Sequence, residues 1–116
     1  MTMRVLVVED EPLISMMLED FLDALDRSVA GSADSVATAL TLVEAGGIDA
    51  AILDVNLRGE MAFAAADLLI ERAVPFVFTT GYENTAVPVR FDGTARCQKP
   101  IDLRRVARAI GRVLRH

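Results

Sequence analysis

Short apolar runs alternate along this chain with segments whose apolar residues recur at helical spacing, and no other feature constrains the fold as strongly. The clearest runs are residues 4–8, 50–53 and 76–80, and weaker runs cover residues 28–32 and 95–98. Parallel strands are joined by crossover connections, usually helices, and are buried on both faces. The alternation therefore predicts an α/β domain whose parallel sheet is covered by helices on both sides.

Four segments have the spacing of amphipathic helices, and the last separates its apolar and charged faces most cleanly. The predicted helices cover residues 13–25, 36–45, 61–72 and 103–114. Pro12 suits the first turn of the first helix, because its missing N–H would have no partner there. Asp34 or Ser35 is expected to cap the second helix.

The stretch between the last two strands, residues 83–95, has no sustained period. It contains Pro88 and the pair Asp92-Gly93, which are typical of turns. We therefore predict a loop with at most a turn or two of helix here, in place of a full fourth helix.

The composition fits one folded domain. With 116 residues, of which 53% are hydrophobic and 25% charged, the chain can form a single core. No apolar run approaches the roughly 18 residues of a membrane span, and acidic residues follow Arg4 too soon for a signal peptide. Cys97 is the single cysteine, so an internal disulfide is excluded. These features predict a cytoplasmic protein with one domain over residues 1–116 and no output domain.

Charge is distributed unevenly along the chain. The net charge is −5, and residues 1–58 contain 11 acidic and 3 basic side chains. This balance disfavours direct binding to DNA. Arginines line one arc of the last predicted helix, at positions 104, 105, 108, 112 and 115. That arc is either a solvated face or a surface for docking a partner, such as a kinase or a second copy in a weak homodimer.

Polar and charged residues follow several predicted strands at the point where each strand ends. Glu9, Asp10 and Asp54 follow two strands, Thr80 ends a third, and Lys99 follows the last. The carboxyl ends of parallel strands lie at one edge of a sheet, where ligands collect. Converging carboxylates repel one another, and a hard divalent cation such as Mg²⁺ relieves that repulsion. A carboxylate there can attack phosphorus while the cation, an ammonium and a hydroxyl bind the phosphoryl oxygens.

Four motifs in order carry a resemblance that spans nearly the whole chain. They are VLVVEDE (5–11), ILDVNL (52–57), FTTG (78–81) and QKP (98–100). With these motifs the chain resembles the receiver domains of two-component response regulators. The resemblance implies a flavodoxin-like, doubly wound sheet of five parallel strands in the order 2-1-3-4-5.

The resemblance also implies a role for each matching residue. Asp54 would accept a phosphoryl group from a histidine kinase or phosphotransfer protein, and Thr80 and Lys99 would bind the group and switch a protein-interaction surface. The implied Mg²⁺ ligands are Asp10, Asp54, the backbone carbonyl of Asn56 and, through a metal-bound water, Glu9. Asn56 and Tyr82 would flank the path of an attacking water and so modulate loss of the phosphoryl group. The peptide bond between Lys99 and Pro100 would be cis. The downstream target is not identified by the sequence.

The chain departs from the common receiver pattern at several positions. A proline frequently found four residues after the phosphoacceptor is Arg58 here, and the usual switch aromatic is Arg96. The stretch PFVFTTGY (75–82) resembles the "FAT GUY" subclass, which consists mostly of single-domain regulators. In that subclass the switch would run through Thr80, Gly81 and Tyr82.

Two other functions fit parts of the sequence. The first is a receiver-like interaction module that no longer depends on phosphorylation. The second is an aspartyl-phosphate hydrolase, but such enzymes place a second acid two residues after the nucleophile, and this chain has Asn56 there. We therefore expect a signalling domain that assists only its own phosphorylation and dephosphorylation, not an enzyme acting on external phosphate esters.

Overall fold

Five parallel strands form one sheet in the computed structural model, which describes residues 2–81 and 87–114. The spatial order of the strands is β2-β1-β3-β4-β5, so the switch point of the sheet lies between β1 and β3. This is the order that the family resemblance implies. The strands are β1 (Arg4–Val8), β2 (Ser28–Ala33), β3 (Ala50–Asp54), β4 (Phe76–Thr80) and β5 (Arg96–Gln98).

Helices cover both faces of the sheet. The two clusters of buried residues place α2 and α3 on one face and α1 and α4 on the other. Successive strand residues point to opposite faces, and Leu6 and Val8 belong to the first cluster while Val5 and Val7 belong to the second. The helices are α1 (Pro12–Ala24), α2 (Val36–Ala45), α3 (Phe63–Glu71) and α4 (Leu103–Val113).

Helix boundaries follow local chemistry. Pro12 opens α1, and the Ser35 hydroxyl caps α2 by accepting a hydrogen bond of 3.2 Å from the Thr38 backbone N–H. Gly46, at a φ of 81°, ends α2 in a conformation that costs glycine little. Of the two caps that the sequence offered for α2, the serine is the one used.

A short hairpin between β3 and α3 was not predicted, and the expected helical start at residue 61 was wrong. Asn56–Leu57 pairs with Glu60–Met61, so α3 begins only at Phe63. The two turn residues, Arg58 and Gly59, have φ values of 53° and 89°. Two successive positive φ angles are the mark of the type I′ turn, whose twist matches that of a tight hairpin. Arginine is an uncommon residue at such a φ, which is why the sequence did not reveal the turn.

The segment before β5 contains one short 3₁₀ helix, Val89–Phe91, within the described residues 87–95. This agrees with the prediction of an irregular element over residues 83–95, whose first part, 83–86, lies outside the described residues. Phe91 is fully buried and packs against Phe63 and Phe78, with ring centroids 5.7 and 5.5 Å away. These aromatic contacts fix the short turn to the sheet without a full helix.

Among the described residues, none of the helices has both the length and the apolar character that a membrane crossing requires.

Replacing Phe78 tests the importance of this aromatic packing. Phe78 is fully buried and contacts the rings of three other phenylalanines. We expect Phe78→Ala to lower the free energy of unfolding by about 3–5 kcal/mol, because truncation removes buried area and leaves a cavity. Val89→Ala, at a side chain that is 80% exposed, is the control and should change stability by less than about 0.5 kcal/mol. Urea denaturation measures both, and equal effects would contradict this account of the core.

Candidate functional site

The sheet brings together chain segments that are far apart in the sequence. Val8 pairs with Leu53 in the register of β1 and β3, so Glu9 follows β1 at the level of Asp54, the last residue of β3. Lys99 follows β5, which is two strands away from β3. That separation is about 10 Å at ordinary strand spacing. Only a long, flexible side chain such as that of lysine spans it, so these three residues meet at the carboxyl edge of the sheet.

The Lys99 ammonium is the centre of an ion-pair network. Its Nζ lies 2.8 Å from Asp54 Oδ2, 3.0 Å from Glu9 Oε1 and 3.8 Å from Glu11 Oε1. The side chains of Glu9, Asp54 and Lys99 are 1%, 3% and 13% exposed, whereas Glu11 lies at the surface. Buried charges are tolerated only when they are paired, and this ammonium pairs with two buried carboxylates at once.

Asp54 is held through its second oxygen as well. Its Oδ1 accepts a hydrogen bond of 3.1 Å from the Asn56 backbone N–H. In the hairpin, Ala62 N–H donates to the Val55 carbonyl at 2.8 Å, which makes Val55–Ala62 a hydrogen-bonded pair. Hydrogen-bonded and non-hydrogen-bonded pairs of residues alternate along an antiparallel ladder. The next pair, Asn56 and Met61, therefore exchanges no hydrogen bonds. The Asn56 carbonyl is therefore left free by the hairpin, as a backbone ligand for a cation must be.

Asp10 is fixed by the turn of the hairpin. Its Oδ2 accepts a hydrogen bond of 3.0 Å from the Arg58 backbone N–H. The Arg58 guanidinium lies 3.5 Å from the Asp10 backbone carbonyl, a much weaker contact. The sequence pointed to Asp10 and showed Arg58 in place of a frequent proline, but it did not predict this contact, because every residue except proline has a backbone N–H.

Burial is the main cause of the raised pKa of Glu9. Desolvation, followed by the hydrogen bond and the charge of Asp54, raises the pKa of Glu9 from 4.5 to about 8. Desolvation alone would lower the pKa of Lys99, but the hydrogen bonds and charges of Asp54 and Glu9 outweigh it and raise the pKa of this ammonium. At neutral pH the site therefore keeps a charged lysine and tends to hold a proton on Glu9.

The residues at this edge fit a hard divalent cation. Glu9, Asp10 and Asp54 offer carboxylate oxygens that all lie within 4.8 Å of one another. Within the described residues, the buried Glu9 Oε1 accepts no aligned hydrogen bond, although Lys99 is close. Three ionised carboxylates and one ammonium would leave two formal negative charges, which one divalent ion would balance. Oxygen donors of this kind are those that Mg²⁺ prefers.

An open cavity of about 510 Å³ lies over these groups. Asp10, Asp54 and Lys99 line it, together with Asn56 and the turn residues Arg58 and Gly59. The Asp54 carboxylate is thus nearly buried yet opens into a space that is large enough for a phosphoryl group and a cation.

Thr80 and Tyr82 are less closely connected to this cluster. Thr80 ends β4, and its backbone carbonyl accepts a hydrogen bond of 2.7 Å from Lys99 N–H. No hydrogen bond to its hydroxyl is found within residues 2–81 and 87–114. Tyr82 lies outside the described residues. The Lys99–Pro100 peptide bond is cis, as the resemblance implies.

Comparison with known proteins agrees with this geometry. The sequence profile of the response regulator receiver domain matches residues 5–110. The solution structure of SdrG from Sphingomonas melonis Fr1 is 52% identical, with a TM-score of 0.87 and coverage of 97% of each chain. The BeF3-activated conformation of SdrG from Pseudomonas melonis Fr1 is also 52% identical, with a TM-score of 0.80 and coverage of 96% of this chain and 95% of that one.

A third solved structure is more distant in sequence. The REC domain of the PhyR response regulator from Erythrobacter litoralis is 33% identical, with a TM-score of 0.85 and coverage of 97% of this chain and 90% of that one. The comparison with curated proteins gave no match.

The raised pKa of Glu9 has a consequence for stability. Between pH 5 and 8 the folded protein holds a proton on Glu9 that the unfolded chain has already released. The stability that this proton contributes is fully present below pH 4.5. It is lost as the pH rises through about 8, where Glu9 ionises in the folded protein. We expect the free energy of unfolding without divalent cations to fall over this range, by an amount on the order of a few kcal/mol. Glu9→Gln should flatten the dependence in urea denaturation, and an equally steep dependence in that variant would contradict the assignment.

Proposed function

We propose, from the premise that this chain belongs to the response regulator receiver domain family, that Asp54 accepts a phosphoryl group from a histidine kinase or phosphotransfer protein. Receiver domains are signalling domains of two-component systems and not enzymes in the usual sense. The observation that carries the proposal is the contact of Lys99 Nζ with Asp54 Oδ2 at 2.8 Å, inside a pocket that also holds Glu9 and Asp10. A strand-end carboxylate without this role would need neither a buried ammonium nor two neighbouring acids.

The chemistry follows from the positions of the charges. Attack by an Asp54 carboxylate oxygen forms an O–P bond and breaks the P–N bond of a phosphohistidine, whose electron pair returns to the imidazole nitrogen. Lys99 is placed to move its hydrogen bond from Asp54 Oδ2 to a phosphoryl oxygen, and so to balance part of the new charge. Glu9, Asp10, Asp54 and the Asn56 carbonyl would hold Mg²⁺. When bound, the ion neutralises charge on the phosphoryl oxygens.

We assign the switch to Thr80 and Lys99. Phosphorylation adds about −1.5 to −2 charges, which attract the Lys99 ammonium and a hydroxyl donor such as that of Thr80. The Lys99 backbone N–H already bonds the Thr80 carbonyl, so a shift of either residue is passed directly to the other. Thr80 lies one residue beyond the register partner of Asp54, which places it on the neighbouring strand at the level of the site. Tyr82 would continue the switch beyond Gly81, as in the subclass that the motif resembles.

The signal would be delivered to an unidentified downstream protein through a surface beside β5. A shallow groove of about 240 Å³ lies between β5 and α4. Arg96 and Cys97 of β5 line it, directly before Gln98 and Lys99. The remaining basic lining comes from Arg105, Arg108 and Arg112 of α4. A displacement of Lys99 would therefore reach this groove through a single short strand.

Binding of beryllofluoride, a phosphoryl mimic, tests the phosphoacceptor directly. We expect binding that requires Mg²⁺ in the wild-type protein and is lost in Asp54→Ala, because the mimic is bonded to this carboxylate. Asp20→Ala removes an exposed acid of α1 and is the matched control, which should bind as the wild type does. Isothermal titration calorimetry measures all three. Absence of any Mg²⁺ or beryllofluoride effect on the wild type would favour the phosphorylation-independent interaction module.

Replacing Thr80 separates binding of the phosphoryl group from switching. We expect Thr80→Ala to retain beryllofluoride binding while the amide chemical-shift changes across β5 become smaller, because the hydroxyl contact is lost. Thr80→Ser keeps the hydroxyl and should behave as the wild type. Two-dimensional NMR with and without beryllofluoride gives the comparison, and undiminished shift changes in the alanine variant would contradict a switching role for Thr80.

A further inference from the structure

We propose that the Arg58–Gly59 turn is a positioning element for Asp10, and that it acts through the Arg58 backbone N–H and not through the guanidinium. This inference rests on the proposed function, because its effect is on how well the acidic pocket binds Mg²⁺. It assigns a role to Arg58, which stands where receiver domains frequently have proline.

The contact geometry distinguishes the backbone from the side chain. The Arg58 N–H donates to the Asp10 carboxylate at 3.0 Å, whereas the guanidinium reaches only the Asp10 backbone carbonyl, at 3.5 Å. A charge-assisted hydrogen bond of ordinary length fixes the orientation of a carboxylate, and a contact at the distance limit does not.

The conformation of the turn delivers this N–H to the site. Arg58 has a φ of 53° and Gly59 a φ of 89°, so the chain reverses within two residues directly over the pocket. The Asn56 side chain stabilises the reversal, since its Oδ1 accepts a hydrogen bond of 2.7 Å from Gly59 N–H. Asn56, which also lines the cavity, thus supports the turn with its side chain.

Losing the hydrogen bond from Arg58 N–H should have the effect of losing any hydrogen-bond partner of a metal ligand. Such partners orient the ligand before the ion arrives, and losing one typically weakens metal binding roughly 10- to 100-fold. Proline cannot supply this contact, since it has no backbone N–H and its φ is fixed near about −65°. Glycine supplies the N–H and adopts positive φ easily, but it lacks the guanidinium.

Mg²⁺ titration of Arg58→Pro and Arg58→Gly tests the assignment, with affinity measured by calorimetry on the full chain. We expect the proline variant to bind Mg²⁺ at least about tenfold more weakly and the glycine variant to stay within about threefold of the wild type. Thermal unfolding without Mg²⁺ shows whether each variant is folded. A proline variant that is folded and binds Mg²⁺ like the wild type would overturn the proposal, and so would a glycine variant as weak as the proline variant.

A second pair of variants keeps the test decisive if the proline variant does not fold. Gly59 and Gly46 both have positive φ, at 89° and 81°, and a Cβ at either would meet nothing within 4 Å. Alanine at each position therefore strains only the backbone. We expect both Gly59→Ala and Gly46→Ala to lose thermal stability, but weaker Mg²⁺ binding, by about threefold or more, in Gly59→Ala alone. Equal Mg²⁺ affinities in these two variants would overturn the positioning role.

The outcomes separate this inference from the function on which it rests. If the wild-type protein does not bind Mg²⁺, the proposed function fails. If the wild type binds Mg²⁺ and the turn variants bind it equally well, only the role of the turn fails.

Discussion

The pairing of the largely buried Lys99 ammonium with Asp54 and Glu9 is the interaction on which the rest of the site depends. Two carboxylates in so little water would otherwise repel each other and lose their charge by taking up protons. Burial is the largest cause of the raised pKa of Glu9, and the hydrogen bond and charge of Asp54 add to it, whereas Lys99 lowers it. The three carboxyl groups of Glu9, Asp10 and Asp54 outnumber the single ammonium of the site. Such a site favours both a divalent cation and a reaction that changes the charge on one of its carboxylates.

Each part of the fold contributes to this arrangement of charge. The parallel sheet brings β1, β3 and β5 to a common edge, and the strand order puts Lys99 at a distance that only a long side chain can cover. The hairpin after β3 also fixes the orientation of the acids. Its Asn56 N–H bonds Asp54 and its Arg58 N–H bonds Asp10, so one short element orients two of the acids. Asp54 contacts the Lys99 ammonium, and the Lys99 backbone N–H donates to the Thr80 carbonyl at the end of β4.

The sequence predicted those features that depend on side-chain pattern. Continuous apolar runs located the strands of the sheet, and acids and a lysine at strand ends located the site. It missed features that depend on backbone conformation. Arg58 was noted only as a replacement for a frequent proline, and its contact with Asp10 was not predicted, because it depends on a positive φ that arginine seldom adopts. The start of α3 was misplaced because Met61 continues an apolar, alanine-rich pattern, although it pairs with Asn56 in the hairpin. The raised pKa of Glu9 was also hidden, since it arises from burial that only the folded chain creates.

The most direct test of the central claim is to expose the protein to a small acyl phosphate with and without Mg²⁺ and to measure its intact mass. Peptide mapping after reduction of the acyl phosphate then locates the modified residue. We expect the mass of one phosphoryl group to be added only when Mg²⁺ is present, and the modification to map to Asp54. A protein that remains unmodified under both conditions, or one modified at another residue, would contradict the account.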